Sequence, residues 1–136
     1  MTLVDAGPLV ALNYARDVHH EVAVATLDTL ALPLLTTWPV LAEAMHLVGR
    51  VDGWASQRRL WRLVEEGHLE TAAPSPAAVE RMPKLMGKYA DRPMDLGDAS
   101  LVALAEERDE RRIFTFDADF LVYRLGGRRA FEVVPD

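Results

Sequence analysis

Short apolar runs alternate along this chain with longer segments whose apolar positions recur every three or four residues. Residues 2–5 read as a buried strand, continuously apolar until Asp5. Gly7-Pro8 follows, and residues 9–15 read as a helix with Pro8 in its first turn, where the missing N–H costs nothing. A second helical pattern covers residues 20–32 and stops at Pro33, after which residues 34–37 read as a second strand. Residues 39–50 are helical in period, and residues 53–66 repeat that period with Trp54, Leu60, Trp61 and Val64. Residues 68–72 form a short strand candidate ahead of the break at Pro74-Ser75-Pro76. Residues 77–90 look helical, with Pro83 interrupting them. A helix over 96–108, a strand over 112–116, a short helical or irregular piece over 118–125 and a last strand over 131–134 complete the pattern.

Strands apolar on both faces, alternating with helices, predict an α/β protein with a parallel sheet covered on two sides. No repeat, linker or low-complexity segment divides residues 1–136, so one domain is expected. Sheets of this kind place their sites at the carboxyl ends of strands. Asp5 and Asp117 each stand at such an end, which predicts that two acids more than a hundred positions apart share one crevice.

Helix phase adds two more acids. At 100° per residue from Val40, the residues Val40, Leu41, Ala44, Leu47 and Val48 form one stripe, with Glu43 at its margin. Asp98 shares a face with Leu101, Val102 and Ala105, the face expected to meet the sheet, and an unpaired carboxylate there is expensive to bury. Each acid also has a purely structural role open to it. Asp5 can accept backbone hydrogen bonds in the turn before Gly7, Glu43 can be a boundary residue, and Asp98 can favour the positive end of its helix. Asp95 suits the N-cap of that helix better than a ligand position, and Asp117 and Asp119 can be turn formers.

The conjunction carries more than any one acid. Four carboxylates meeting at roughly 5 Å repel by about 3 kcal/mol per pair at an effective dielectric of about 20, so the group must take up cations or protons. The chain has no cysteine, which removes disulfides, zinc fingers and thiolate chemistry. The four acids offer only oxygen, and Mg²⁺ or Mn²⁺ is the natural occupant. A formal charge of −6 argues against a protein that simply coats nucleic acid, although a bound cation would offset part of it. Half the residues are hydrophobic and 26% are charged, as in an ordinary globular domain. No leader or membrane span is read, and a cytoplasmic protein is expected.

The segments Leu3-Val4-Asp5-Ala6-Gly7-Pro8-Leu9-Val10-Ala11-Leu12, Val40-Leu41-Ala42-Glu43-Ala44, Pro93-Met94-Asp95-Leu96-Gly97-Asp98-Ala99-Ser100-Leu101-Val102 and Ile113-Phe114-Thr115-Phe116-Asp117-Ala118-Asp119-Phe120 resemble, in order and spacing, the blocks of PIN-domain proteins. In size the chain is most similar to VapC-type toxins, the ribonuclease halves of toxin–antitoxin pairs. The resemblance implies a Rossmann-like three-layer PIN fold with about five parallel strands and a Mg²⁺- or Mn²⁺-dependent endoribonuclease site. It implies that Asp5, Glu43, Asp98 and Asp117 hold the metal, that Thr115 orients the last of them, and that Asp95 and Asp119 are accessory ligands. RNA as substrate, a small antitoxin as partner and a homodimer follow from the same resemblance. One departure is Gly7, where family members often carry Ser or Asn, so that one polar contact to water or phosphate is missing.

Arg58, Arg59 and Arg62 lie within one turn of each other, and Arg124, Arg128 and Arg129 cluster after the last acid. Arg58, Arg62 and Arg128 are candidate RNA contacts, weighed against solvated faces. Trp54 and Trp61 are expected in a core or subunit contact rather than under a base, and His19-His20 at an ordinary helix start rather than on a metal. A phosphatase of related architecture would want an acid at position 7, where this chain has Gly7. A binding module on the same fold is expected to have lost the acids, which are present here.

Overall fold

The computed structural model describes residues Met1–Asp136. Its elements in chain order are β1 (Thr2–Val4), α1 (Ala6–Asn13), α2 (His20–Leu27), β2 (Leu34–Thr37), α3 (Trp38–Glu65), β3 (Leu69–Ala72), α4 (Pro76–Lys88), α5 (Leu96–Arg108) and β4 (Arg112–Phe114). A 3-10 turn (Ala118–Leu121) then leads to β5 (Arg124–Leu125), β6 (Arg129–Ala130) and β7 (Glu132–Val134). Five strands form one parallel sheet in the order β3-β2-β1-β4-β7, while β5 and β6 pair antiparallel in a hairpin of their own.

The order explains where a site can form. The chain builds outward from β1 through β2 to β3, then crosses back to lay β4 on the other side of β1. Between β1 and β4 the connections diverge, and a crevice opens beyond their carboxyl ends. Leu3, Val4, Leu35, Ile113 and Phe114 are buried in the sheet. Leu9 of α1, Val40, Ala44, Val48 and Leu60 of α3, and Leu101, Val102 and Ala105 of α5 join them in one apolar cluster. At the usual 20–30 cal/mol per Å² this burial is the main force that holds β1 and β4 together.

Several boundaries differ from the expected ones, each for a local reason. α1 begins at Ala6 because Asp5 caps it, its Oδ1 accepting the Ala6 N–H at 2.8 Å. α2 stops at Leu27, where Thr26 and Thr29 donate their hydroxyls to Val22 and Thr26 carbonyls and compete with the helix ladder. The helices expected over 39–50 and 53–66 are one element broken at Gly53, whose φ of 64° and ψ of −153° are open to glycine alone. Beyond that break α3 folds back on itself, and Gln57 Nε2 donates to the Met45 carbonyl at 3.2 Å. Gly49 leaves room for the Gln57 amide, since a Cβ there would lie 2.4 Å from Nε2 and push that side chain aside. α4 runs straight through Pro83, which faces solvent while Ala78, Met82 and Leu85 face inward.

Candidate active site

Asp5, Asp98 and Asp117 converge at the switch point, and one carboxylate oxygen from each lies within 4.8 Å of the other two. Every one is placed by a helix start. Asp5 leaves β1, donates its backbone N–H to Phe114 of β4 at 3.0 Å and caps α1. Its second oxygen, Oδ2, accepts the Thr115 hydroxyl at 2.8 Å. Asp98 lies in the first turn of α5, its N–H held by the Asp95 cap at 2.8 Å, and is only 7% exposed. Asp117 caps the 3-10 turn through Oδ1, which accepts the Asp119 N–H at 2.9 Å. Positive helix ends therefore face the acids, which moderates their repulsion.

Glu43 enters from α3 and Asp95 from the start of α5, and both line a cleft of about 310 Å³ together with the three aspartates, Gly7 and Phe116. Gly97 lies between them. A Cβ at that position would sit 3.3 Å from Asp95 Oδ1 and 3.6 Å from Glu43 Oε2.

The electrostatics mark this as a strained acid group. None of the ion pairs in the structure involves Asp5, Glu43, Asp95, Asp98 or Asp117. Burial pushes the Asp5 carboxyl up, against the hydrogen bonds from Thr115 and Ala6, with the Asp117 and Asp95 charges adding to the rise. Glu43 is raised by partial burial and then by Asp95, Asp5 and Asp117. Asp98 is pushed up to about 7, by burial first and by Asp95 second, and the Tyr123 hydroxyl opposes the shift. Carboxylates that resist ionisation in a shared cleft, with oxygen as the only donor, fit a hard divalent cation. The donor set passes that test.

The residues around this centre differ from expectation in informative ways. Thr115, which the resemblance assigns to Asp117, donates its hydroxyl to Asp5 and accepts the Asp117 backbone N–H at 3.0 Å, so it ties the two acids together. Asp95 is the N-cap of α5 and also faces the cleft. Asp119 is outside the cleft lining, and its carboxylate pairs with Arg92 at 2.9 Å. Arg58 and Arg62 lie on the outer face of α3 with Trp54, Trp61 and Glu65, and Arg128 lies near the β5–β6 hairpin beside Glu106; none lines the cleft. Trp54 is 63% exposed, which removes it from the core. His19 stacks on Phe116 at 4.6 Å between centroids, and His20 Nδ1 sits 2.6 Å from the Ala11 carbonyl oxygen, so both rings have ordinary packing roles.

Tyr123 was not among the residues singled out from sequence. It is fully buried, yet its hydroxyl donates to Asp98 Oδ2 at 2.9 Å. Its position in an aperiodic stretch hides it, and only an aromatic with a polar tip near the last acid hinted at such a role.

A five-stranded parallel sheet with an oxygen-only acid cleft at its switch point defines an α/β domain whose clustered aspartates could hold a metal ion. The PIN domain family model matches residues 2–125, and the chain belongs to that family. Ribonuclease VapC26 of Mycobacterium tuberculosis is 28% identical over 134 residues, which cover 98% of this chain and 99% of that protein. Among solved structures, VapC20 of M. tuberculosis, described as a sarcin-ricin loop cleaving toxin, superposes with a TM-score of 0.80 at 18% identity, covering 88% of this chain and 92% of its own. A toxin–antitoxin complex from Klebsiella pneumoniae contains a chain with a TM-score of 0.67 at 17% identity, covering 87% and 88%. At these identities the structural likenesses speak to the fold.

Proposed function

We propose that this PIN-domain protein is a Mg²⁺- or Mn²⁺-dependent endoribonuclease and the toxin of a toxin–antitoxin pair. The observation that carries the reading is the convergence of Asp5, Asp98 and Asp117 with no cationic side chain beside them. These three would hold the ion, with Glu43 and Asp95 facing it across the cleft. A bound cation of this kind polarises a phosphate oxygen and activates water near neutral pH. Thr115 fixes the Asp5 oxygen and the Asp117 backbone, so the acids need little reorganisation. Glu43, exposed and with its carboxyl shifted up, is the acid best placed to accept a proton at Oε2.

RNA as substrate is supported by the likeness to Ribonuclease VapC26, and an antitoxin partner by the likeness to the Klebsiella complex. Arg58, Arg62 and Arg128 would contact RNA phosphates beyond the cleft, since all three are exposed. Asp119 keeps only an indirect role, holding the Asp117 turn. The exposed Val51 and Trp54 on α3 would cover one another in a homodimer working in the cytoplasm. A binding module without catalysis is the second reading, favoured by Gly7 alone.

Purified protein is expected to cleave RNA with Mg²⁺ or Mn²⁺, to stop in chelator, and to lose activity on Asp98→Asn. Cleavage indifferent to chelator and to D98N would remove the cation mechanism. Cation binding without cleavage would favour the binding module.

A further inference from the structure

We propose that Tyr123 is a positioning residue that makes Asp98 a one-oxygen ligand and thereby sets the cleft's preference for a small divalent cation over a large one. The inference rests on the cation reading above and extends it to a residue outside the acid motifs.

Tyr123 is held from several sides. Its ring meets Tyr89 edge-on at 4.9 Å and Phe120 at 5.1 Å, and no part of it reaches solvent. From that fixed position the hydroxyl donates to Asp98 Oδ2 at 2.9 Å. No protein group donates to Asp98 Oδ1, and no buried side-chain oxygen in the molecule lacks a partner, so Oδ1 is the atom open to the cleft. The bond fixes the plane of the Asp98 carboxylate, and rotating Oδ2 toward the cleft would strand the Tyr123 hydroxyl in an aromatic cluster with nothing to bond, which is disfavoured. Asp98 is thereby held with one oxygen toward the cleft and the other toward Tyr123.

The neighbouring acids are likewise fixed in orientation, each hydrogen-bonded oxygen keeping a second lone pair that can face the cleft. Asp5 has both oxygens engaged, by Ala6 and by Thr115, and Asp117 has Oδ1 engaged by Asp119. Ca²⁺ favours six to eight oxygens at about 2.3–2.6 Å, often with two from one carboxylate, whereas Mg²⁺ accepts six at about 2.0–2.1 Å and retains water. A cradle of single carboxylate oxygens fits the smaller ion. Tyr123 is the one member of this restraint that comes from outside the acid-bearing segments and reaches a side chain otherwise free to rotate.

The test is calorimetric titration of the purified full chain, without RNA, with MgCl₂, MnCl₂ and CaCl₂. Tyr123→Phe keeps the ring and removes only the hydroxyl. Tyr89→Phe is the control, because its hydroxyl accepts from the Arg124 N–H at 3.3 Å and does not touch Asp98. In Y123F the Mg²⁺ affinity is expected to fall about tenfold, as for other groups that orient metal ligands, while Ca²⁺ affinity holds or rises. Near-UV circular dichroism should match wild type, and Y89F should bind both ions as wild type does. An unchanged Mg²⁺/Ca²⁺ ratio in Y123F, including a parallel loss of both ions, overturns the proposal. Wild-type protein that binds none of the three ions overturns the cation reading as well, so the two failures are told apart.

Discussion

Asp98→Asn should stabilise this protein in the absence of metal, and the size of the effect follows from the cleft. The carboxyl stands at about 7 rather than 3.8, through burial and then the Asp95 charge. The folded state therefore holds this proton more tightly than the unfolded chain does. Below about pH 4 both states are protonated and the residue costs nothing; the cost grows as pH rises to about 7 and stays at its full value above. At about 1.4 kcal/mol per tenfold difference in proton affinity the full cost is about 4 kcal/mol, and halving it because the cleft is open to water leaves about 2 kcal/mol. Asparagine keeps the shape and still offers Tyr123 an acceptor, while removing the charge. In thermal unfolding with EDTA, D98N should melt about 6 °C above wild type at pH 8, and the gap should close as pH falls toward 4. Added Mg²⁺ or Mn²⁺ should then raise the wild-type melting temperature and leave D98N little changed, reversing their order. Equal melting at pH 8 in chelator, or a gap of the same size at pH 4, would refute the account of a strained carboxylate.

Two further substitutions probe the surroundings of the acids. Thr115→Val leaves Asp5 Oδ2 without its donor and the Asp117 N–H without its acceptor, and should cost about 1–3 kcal/mol in urea unfolding and 10- to 100-fold in metal affinity; wild-type values for both would show that the hydroxyl ties nothing together. Gly7→Ser places a Cβ 3.6 Å from Phe116 Cδ2, an ordinary contact in the first turn of α1, and should raise RNA cleavage by supplying a hydroxyl at the cleft; unchanged kcat/KM would show that the missing contact is not made here.

The acids differed in how readable they were. Asp5 and Asp117 could be found because each follows a short apolar run. Asp5 directly leaves β1, whereas β4 ends at Phe114 rather than at the expected Phe116, since the Thr115 side chain turns the chain toward Asp5, and Asp117 stands three residues beyond it. Asp98 could be found because its phase is wrong for a surface acid, and it proves to be buried. Glu43 had no such mark, being exposed at the edge of its stripe, and only the family pattern singled it out. Tyr123 was invisible for a different reason: its contacts with Asp98, Tyr89 and Phe120 are tertiary, in a stretch with no period to read. The same limit applies to α3. A gap between two helical patterns marked residue 53, but the direction of the return depends on the backbone angle at Gly53. Spacing put Trp54 and Trp61 on one side of that helix, yet Ser56 and Leu60 took the inner face and left Trp54 in solvent.

The pairing of β4 with β1 also sets when the cleft can exist. Asp5, Glu43 and Asp98 are all synthesised before the strand that carries the chain to Asp117, and Asp117 and Tyr123 come later still. At roughly 5–20 residues per second, a growing chain spends seconds with three acids made and the fourth, with the Thr115 hydroxyl that ties it to Asp5, still absent. A product cut short by a premature stop or by proteolysis before residue 112 would hold three of the acids and lack the strand that completes the cleft. For a protein proposed to cut RNA, such a copy lacks β4, Thr115 and Asp117 and is expected to be inactive.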